Sequence, residues 1–347
     1  MRDETAARPT AARPAGAPYD GYLLDLDGTL YRGAEVITAA PAAVARLRSG
    51  GDAVRFVTNN AARTAEHVVT RLRRMGFAAV ADEVYTSSYA AARMLAERLP
   101  AASRVLVLGT SALAELVGEV GLRPVRQSGE GVSAVVQGHA RETGWRELAE
   151  ASVAVRAGAW WVACNTDATL PSERGELPGN GAMVAALRTA TGAEPLVAGK
   201  PQAASLRMAA QAAGCERPLV VGDRLETDIA GAHAAGMDSL LVLSGVSTPQ
   251  GLLCASKEQR PTHVAADVGV LADSVSACEV NDASVAGSAW QVSHTADGLL
   301  VSSTGENGAA LALLRRLCPH AWASGTVTTR AADDTSRAVL SELGLPT

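Results

Sequence analysis

A chain of 347 residues with 48% hydrophobic and 19% charged side chains is long enough for two or three domains and apolar enough to bury a core. A net charge of −5 with no basic stripe argues against nucleic acid as the main partner. No run of about 18 apolar residues marks a membrane span, and the scattered cysteines Cys164, Cys215, Cys254, Cys278 and Cys318, without C-x-x-C spacing, suit free thiols in a reducing cytoplasm.

Residues 1–18 mix Arg, Ala, Pro and Thr without an apolar h-region, which predicts a disordered tail and no signal peptide. The first strand, YLLDL at 22–26, delivers Asp25, Asp27, Gly28 and Thr29 at its C-terminal end, where open α/β sheets bind ligands. A helix over 39–48 is closed by Gly50 and Gly51. The next strand, 55–58, breaks into Thr58, Asn59 and Asn60, small polar groups able to donate to phosphoryl oxygens. Asn60 and Thr64 also suit a helix cap, ahead of helices over 64–75 and 89–98. Strands at 105–109, 134–138 and 160–165 then alternate with helices near 111–120, 143–157 and 182–191.

Further on, VAGKP at 197–201 sets Lys200 between a glycine and a proline, where the chain cannot be mid-helix. Lys200 and Lys257 are the only lysines among 31 Lys and Arg side chains, so a compact ammonium at this position is selective. The buried-type strand LVVGDRLETD at 219–228 leads into Asp223 and Asp228. A helix over 229–235, strands near 239–247 and 261–268, a hairpin over 290–303 turning at Ala296-Asp297-Gly298, and helices over 305–316 and 336–343 complete the chain. Alternating strands and helices with glycines at the junctions predict a parallel sheet with crossover helices.

Asp-Gly after a strand is also an ordinary turn signal, and Asp223 alone would serve as a cap. The ordered set Asp-x-Asp, Thr-Asn, Lys and Asp-x4-Asp resembles the haloacid-dehalogenase-like (HAD) superfamily of phosphohydrolases. DLDGTLYRG at 25–33, TNNAART at 58–64, CNTD at 164–167 and GDRLETDIAGA at 222–232 are similar to its class IIA, NagD-like branch. The likeness covers residues 20–275.

The resemblance implies a Rossmann-like HAD core with a parallel sheet, built from 19–87 and 194–278. An α/β cap is inserted at 88–193, and a small α+β extension follows at 279–347. It implies Asp25 as nucleophile, Asp27 as general acid and base, and Lys200 as the charge-neutralising cation. Thr58, Asn59 and Asn60 would hold phosphoryl oxygens. Mg²⁺ would be bound by Asp25, the Asp27 carbonyl and Asp223, with Asp228 outside them or acting through water. Carboxylates crowded in one pocket are costly without a cation among them. Asn165, Thr166 and Asp167, then Leu177-Pro178-Gly179-Asn180-Gly181, read as loops facing the core site, with Gly179 and Gly181 opening the helix at 182–191. Asn165 and Asp167 are candidates for substrate selection by the cap, weighed against a plain turn and cap role. His139 stands where relatives often carry an acidic residue, and a loop histidine is the favoured reading; Cys164 reads as a buried bystander and His263 receives no role.

The partner implied is a small phosphorylated metabolite, with neither nucleic acid nor membrane. Class IIA caps often mediate dimers, so a homodimer is one expectation. The tail resembles the acetyltransferase-like extension of some actinobacterial phosphatases in this family, which puts glycerol 3-phosphate first. Pyridoxal 5′-phosphate, phosphoglycolate, sugar phosphates and nucleotides follow. TGENG at 304–308 is a weak acyl-CoA loop, and about 70 residues are too few for a full acetyltransferase, so the tail is expected to be structural. Residues 61–199 contain no lysine for phosphonatase chemistry. A ligand sensor on the same scaffold would be expected to have lost Asp25, Asp27 or Asp223, and none is lost.

Overall fold

The computed structural model describes residues 18–172, 174–280, 289–305 and 308–347. The expected N-terminal tail, apart from residue 18, and the centre of the TGENG stretch lie outside them. The chain forms two compact units, Met1–Arg55 with Ala213–Leu225 and Met237–Thr347, and Phe56–Ala212 with Glu226–Gly236.

In the first unit, parallel strands lie in the order His263–Ala265, Asp238–Val242, Pro218–Gly222, Gly21–Leu24. Their apolar residues are buried almost without interruption, the pattern of a parallel strand covered on both faces. The register pairs Leu24 with Val221, which aligns the two strand ends that precede Asp25 and Asp223. Helix Ala40–Ser49 begins with a proline in its first turn, where the missing N–H has no partner to lose, and buries Ala40, Ala43, Val44 and Leu47.

The C-terminal residues belong to this same unit. Strands Trp290–Thr295 and Gly298–Ser303 form the expected antiparallel hairpin, and Thr329–Ala331 joins in parallel. Between them runs helix Ala310–Ser324, which buries Leu313, Leu314, Leu317 and Cys318. This helix starts five residues later than its predicted position. Arg315 Nη1 donates to the Val264 carbonyl at 2.9 Å and Trp322 Nε1 to the Leu252 carbonyl at 3.0 Å. The extension is therefore tied to the edge of the parallel sheet.

The second unit has its own parallel sheet, in the order Leu196–Val197, Trp160–Ala163, Val132–Gln137, Arg104–Leu108, Arg123–Val125. Alternation decides which face each side chain supplies. Val105, Val107 and Val136 pack with Ala91, Leu95, Leu113 and Val117 of helices Ser87–Arg98 and Ser111–Glu119. Leu106, Leu108 and Val135 pack on the other side, against Ala151, Ala154 and Leu187 of helices Trp145–Arg156 and Asn180–Thr191. Residues Phe56–Thr58 pair in parallel with Val84–Thr86.

Two features depart from the expected pattern. Residues 169–178 form an antiparallel ribbon, Thr169–Ser172 with Gly175–Pro178, so Leu177 and Pro178 are strand residues where a loop was expected. Asn180 is already helical, two residues before the expected start, with Gly179 as its N-cap.

Candidate active site

The first unit contributes an acidic pocket at its strand ends. Asp25 N donates to the Val221 carbonyl at 2.8 Å, which carries the β-ladder one residue further. Asp25 and Asp223 thereby converge, each offering a carboxylate oxygen within 4.8 Å of the other. Asp223 is buried, and Val246 N donates to its Oδ2 at 2.7 Å. A Cβ at either Gly28 or Gly245 would overlap the Asp223 carboxylate, so only glycines leave this slot open.

Gly28 also adopts φ +88°, in a turn closed by Gly28 N to Tyr31 O at 2.7 Å and Leu30 N to Leu26 O at 2.8 Å. Ser244 Oγ donates to the Gly28 carbonyl at 2.6 Å and fixes the turn from the neighbouring strand end. On that turn Thr29 is buried while Asp27 is exposed, free to approach a ligand. Two carboxylates held this close repel each other unless a cation lies between them. An all-oxygen set with a main-chain carbonyl available at Asp27 fits a hard divalent ion.

In the second unit, the strand ending at Thr58 opens into a tight polar turn. Asn60 N donates to Thr58 Oγ1 at 3.2 Å, and Ala62 N to Asn60 Oδ1 at 2.9 Å. Thr64, whose side chain accepts from His67 N, caps helix Ala65–Arg74. Asn59 is tied on several sides. Its Nδ2 donates to the Lys200 carbonyl at 2.9 Å and reaches both Asp167 oxygens at 3.2 and 3.4 Å. Its carbonyl accepts from Asn165 Nδ2 at 2.6 Å and Ser87 Oγ at 2.7 Å.

Lys200 is buried beside Asp228, 2.6 Å from Nζ to Oδ1, and Nζ also donates to the Val57 carbonyl at 3.0 Å. Asp228 sits on a π-helical turn, Leu225–Ile229, that follows Asp223 along the chain. The wide turn delivers Asp228 to Lys200, and π-turns of this kind occur often at functional sites.

Asp25 and Asp223 are thus brought together in one unit, with Asp27 on the adjoining turn. Thr58, Asn59, Asn60, Lys200, Asp228, Asn165 and Asp167 lie in the other. Cys164 is fully buried and burial pushes its thiol up to about 12, so it stays protonated and inert at neutral pH. For His139, burial and then Arg141 lower the imidazole below its usual range. Sequence reasoning missed Gly245 and Ser244, and placed Asn180 in a loop rather than at the start of a helix. Only the small residues of SGVS after a buried strand hinted at the first two.

Residues 22–123 match the haloacid dehalogenase-like hydrolase family, 197–271 a HAD-hydrolase-like family, and 288–345 a GCN5-related N-acetyltransferase like domain. The D-glycerol 3-phosphate phosphatase of Mycobacterium tuberculosis is 50% identical over 250 residues, 72% of this chain and 70% of that protein. A 5′-nucleotidase of Bacillus subtilis is 37% identical over 71% of this chain and 94% of its own length. The crystal structure of the M. tuberculosis glycerol phosphate phosphatase in complex with magnesium superposes with a TM-score of 0.88 at 43% identity, covering 94% of this chain and 98% of that one. On this sequence identity, and with the four motifs at their strand ends, the chain belongs to the haloacid dehalogenase-like hydrolase family.

Proposed function

We propose that this protein is a Mg²⁺-dependent phosphomonoesterase acting on a small phosphorylated metabolite, with glycerol 3-phosphate the first substrate. The observation that carries the reading is the convergence of Asp25 and Asp223 in a glycine-lined slot, with exposed Asp27 on the turn beside it. The 50% identical relative named for D-glycerol 3-phosphate supports the substrate.

In this reading Asp25 attacks phosphorus, the bond from phosphorus to the ester oxygen breaks, and Asp27 gives its proton to the departing alcohol. Asp27 then takes a proton from water as that water attacks the aspartyl-phosphate, releasing phosphate and restoring Asp25. Lys200, Thr58, Asn59 and Asn60 hold and neutralise the phosphoryl oxygens, and such positioning supplies most of the catalysis in phosphoryl transfer. Asp25, Asp223 and the Asp27 carbonyl would hold Mg²⁺, with Asp228 outside them or acting through water, and the ion would supply charge neutralisation.

We assign 19–87 and 194–278 to the catalytic core, 88–193 to a cap that excludes water, and 279–347 to a structural extension. Of the two cap candidates, Asp167 is assigned beside the substrate, and Asn165 lies behind it, bonded to the Asn59 carbonyl and to Asp167 N. The free cysteines suit a cytoplasmic location, and no described helix is long and apolar enough to cross a membrane. Trp145, 84% exposed, and Val153 on the same helix offer an apolar face for a homodimer.

The test is phosphate release from a panel of phosphomonoesters, with and without Mg²⁺, by wild type and Asp25→Asn. Metal-dependent release led by glycerol 3-phosphate and abolished in Asp25→Asn is expected. No release from any compound by folded protein would overturn the reading in favour of a ligand sensor.

A further inference from the structure

Asn165 and Asn180 are buried polar side chains of the second unit, at 4% and 2% exposure. Buried amides are costly unless hydrogen-bonded, and these two bond along a single line. Asn180 Nδ2 donates to the Asn165 main-chain carbonyl at 2.7 Å, and more weakly to the Gln137 carbonyl at 3.5 Å. Asn165 Oδ1 accepts from Asp167 N at 3.2 Å, and Asn165 Nδ2 donates to the Asn59 carbonyl at 2.6 Å. Both the carbonyl oxygen and the amino group of the Asn165 amide have a partner inside the protein.

The backbone is shaped around this line. A Cβ at Gly181 would overlap the Thr166 carbonyl, so the first turn of helix Asn180–Thr191 can press onto the 165–167 loop only with glycine there. The chain of contacts therefore runs from a helix start, through the Asn165 loop, to the Asn59 peptide.

We infer that Asn165, seated by Asn180, is a positioning residue for the phosphate-binding turn at Thr58–Asn59 and does not select the substrate. The inference rests on the phosphatase reading above. Asn165 Nδ2 shares the Asn59 carbonyl with Ser87 Oγ. The two donors together fix the plane of the following peptide, so loss of the Asn165 donor lets the phosphoryl-binding groups shift for every substrate alike. Displacement of such groups by about 1 Å costs on the order of 100-fold in rate.

Asn165→Asp tests this because it keeps size and the acceptor facing Asp167 N but removes the donor to Asn59. A carboxyl buried beside Asp167 has a raised pKa, and in its protonated form it can donate to Asn59 again. The expected result is a kcat lowered about 10- to 100-fold at pH 8, equally across the phosphomonoester panel. KM ranking is unchanged, and the ratio of variant to wild-type kcat climbs as pH falls towards about 5.5. Asn180→Asp, which removes the donor to Asn165, is expected to reproduce the pH-dependent recovery with a smaller loss, and serves if Asn165→Asp does not fold. A pH-independent ratio, or a reordered substrate ranking, would overturn the inference while leaving the phosphatase reading intact. A wild type that releases no phosphate would overturn that reading, and this inference with it.

Discussion

Lys200 Nζ lies 2.6 Å from Asp228 Oδ1, with both side chains withdrawn from solvent. A buried pair of this kind gains little over an apolar pair, but removing one partner strands the other charge in a poor solvent. Asp228→Ala is therefore expected to destabilise the protein by about 3–5 kcal/mol, measured by urea denaturation. Lys200→Arg is not expected to restore activity, because a planar guanidinium cannot occupy the site of a compact ammonium that also donates to the Val57 carbonyl.

Gly245→Ala tests the slot that holds Asp223. The added methyl would overlap the carboxylate, so Asp223 must turn away from Asp25. Mg²⁺ affinity by isothermal titration is expected to fall about 10- to 100-fold, as for other groups that orient a metal ligand, while far-UV circular dichroism is retained. Unchanged affinity would exclude Asp223 from the metal site.

The pH dependence of stability follows from a buried network in the first unit. Tyr19 OH donates to Asp238 Oδ2 at 3.0 Å and lies 2.7 Å from His263 Nε2. Tyr19 can donate to Asp238 and accept from His263 at once only if His263 carries its proton on Nε2. Burial lowers the His263 imidazole below its ordinary 6.5, against the opposing charges of Glu279 and Asp238. Below pH 6.5 the unfolded chain therefore binds the proton first, and stability falls as the medium is acidified. Burial and then Asp238 raise the Tyr19 phenol above its ordinary 10.0, so stability also falls above pH 10. Thermal melts of wild type and His263→Gln are expected to differ in their acid limb, with the variant flatter.

The extension is bound to the core edge by Arg315 to Val264, Trp322 to Leu252, and the Arg260 guanidinium 5.2 Å from the Trp322 ring. Deleting 289–347 would uncover Leu252 and Val264, both buried. The truncated protein is expected to melt at lower temperature and bind the dye ANS. An unchanged melt would show that the extension is an independent appendage.

Much of this architecture is legible in the residues, and the remainder fails for identifiable reasons. Runs such as VLVL at 105–108 declare buried parallel strands because both faces are covered, and the motif residues sit at strand ends where short polar groups interrupt those runs. Asn180 was read as a loop residue because its partners, Asn165 and Gln137, are far away in sequence. Gly245 gives no local sign of its importance, since its neighbour in space, Asp223, lies 22 residues earlier. The ribbon over 169–178 was hidden by a proline near each of its ends, Pro171 and Pro178, which sequence rules read as loop.

The most direct test of the central claim is to quench the enzyme in acid during turnover of glycerol 3-phosphate with Mg²⁺, and to map phosphorylated peptides by mass spectrometry. The account predicts a phosphoryl adduct on the peptide containing Asp25, lost in Asp25→Asn and accumulating in Asp27→Asn with a substrate whose leaving group needs no proton. Rapid turnover with no adduct, or an adduct on another residue, would contradict it.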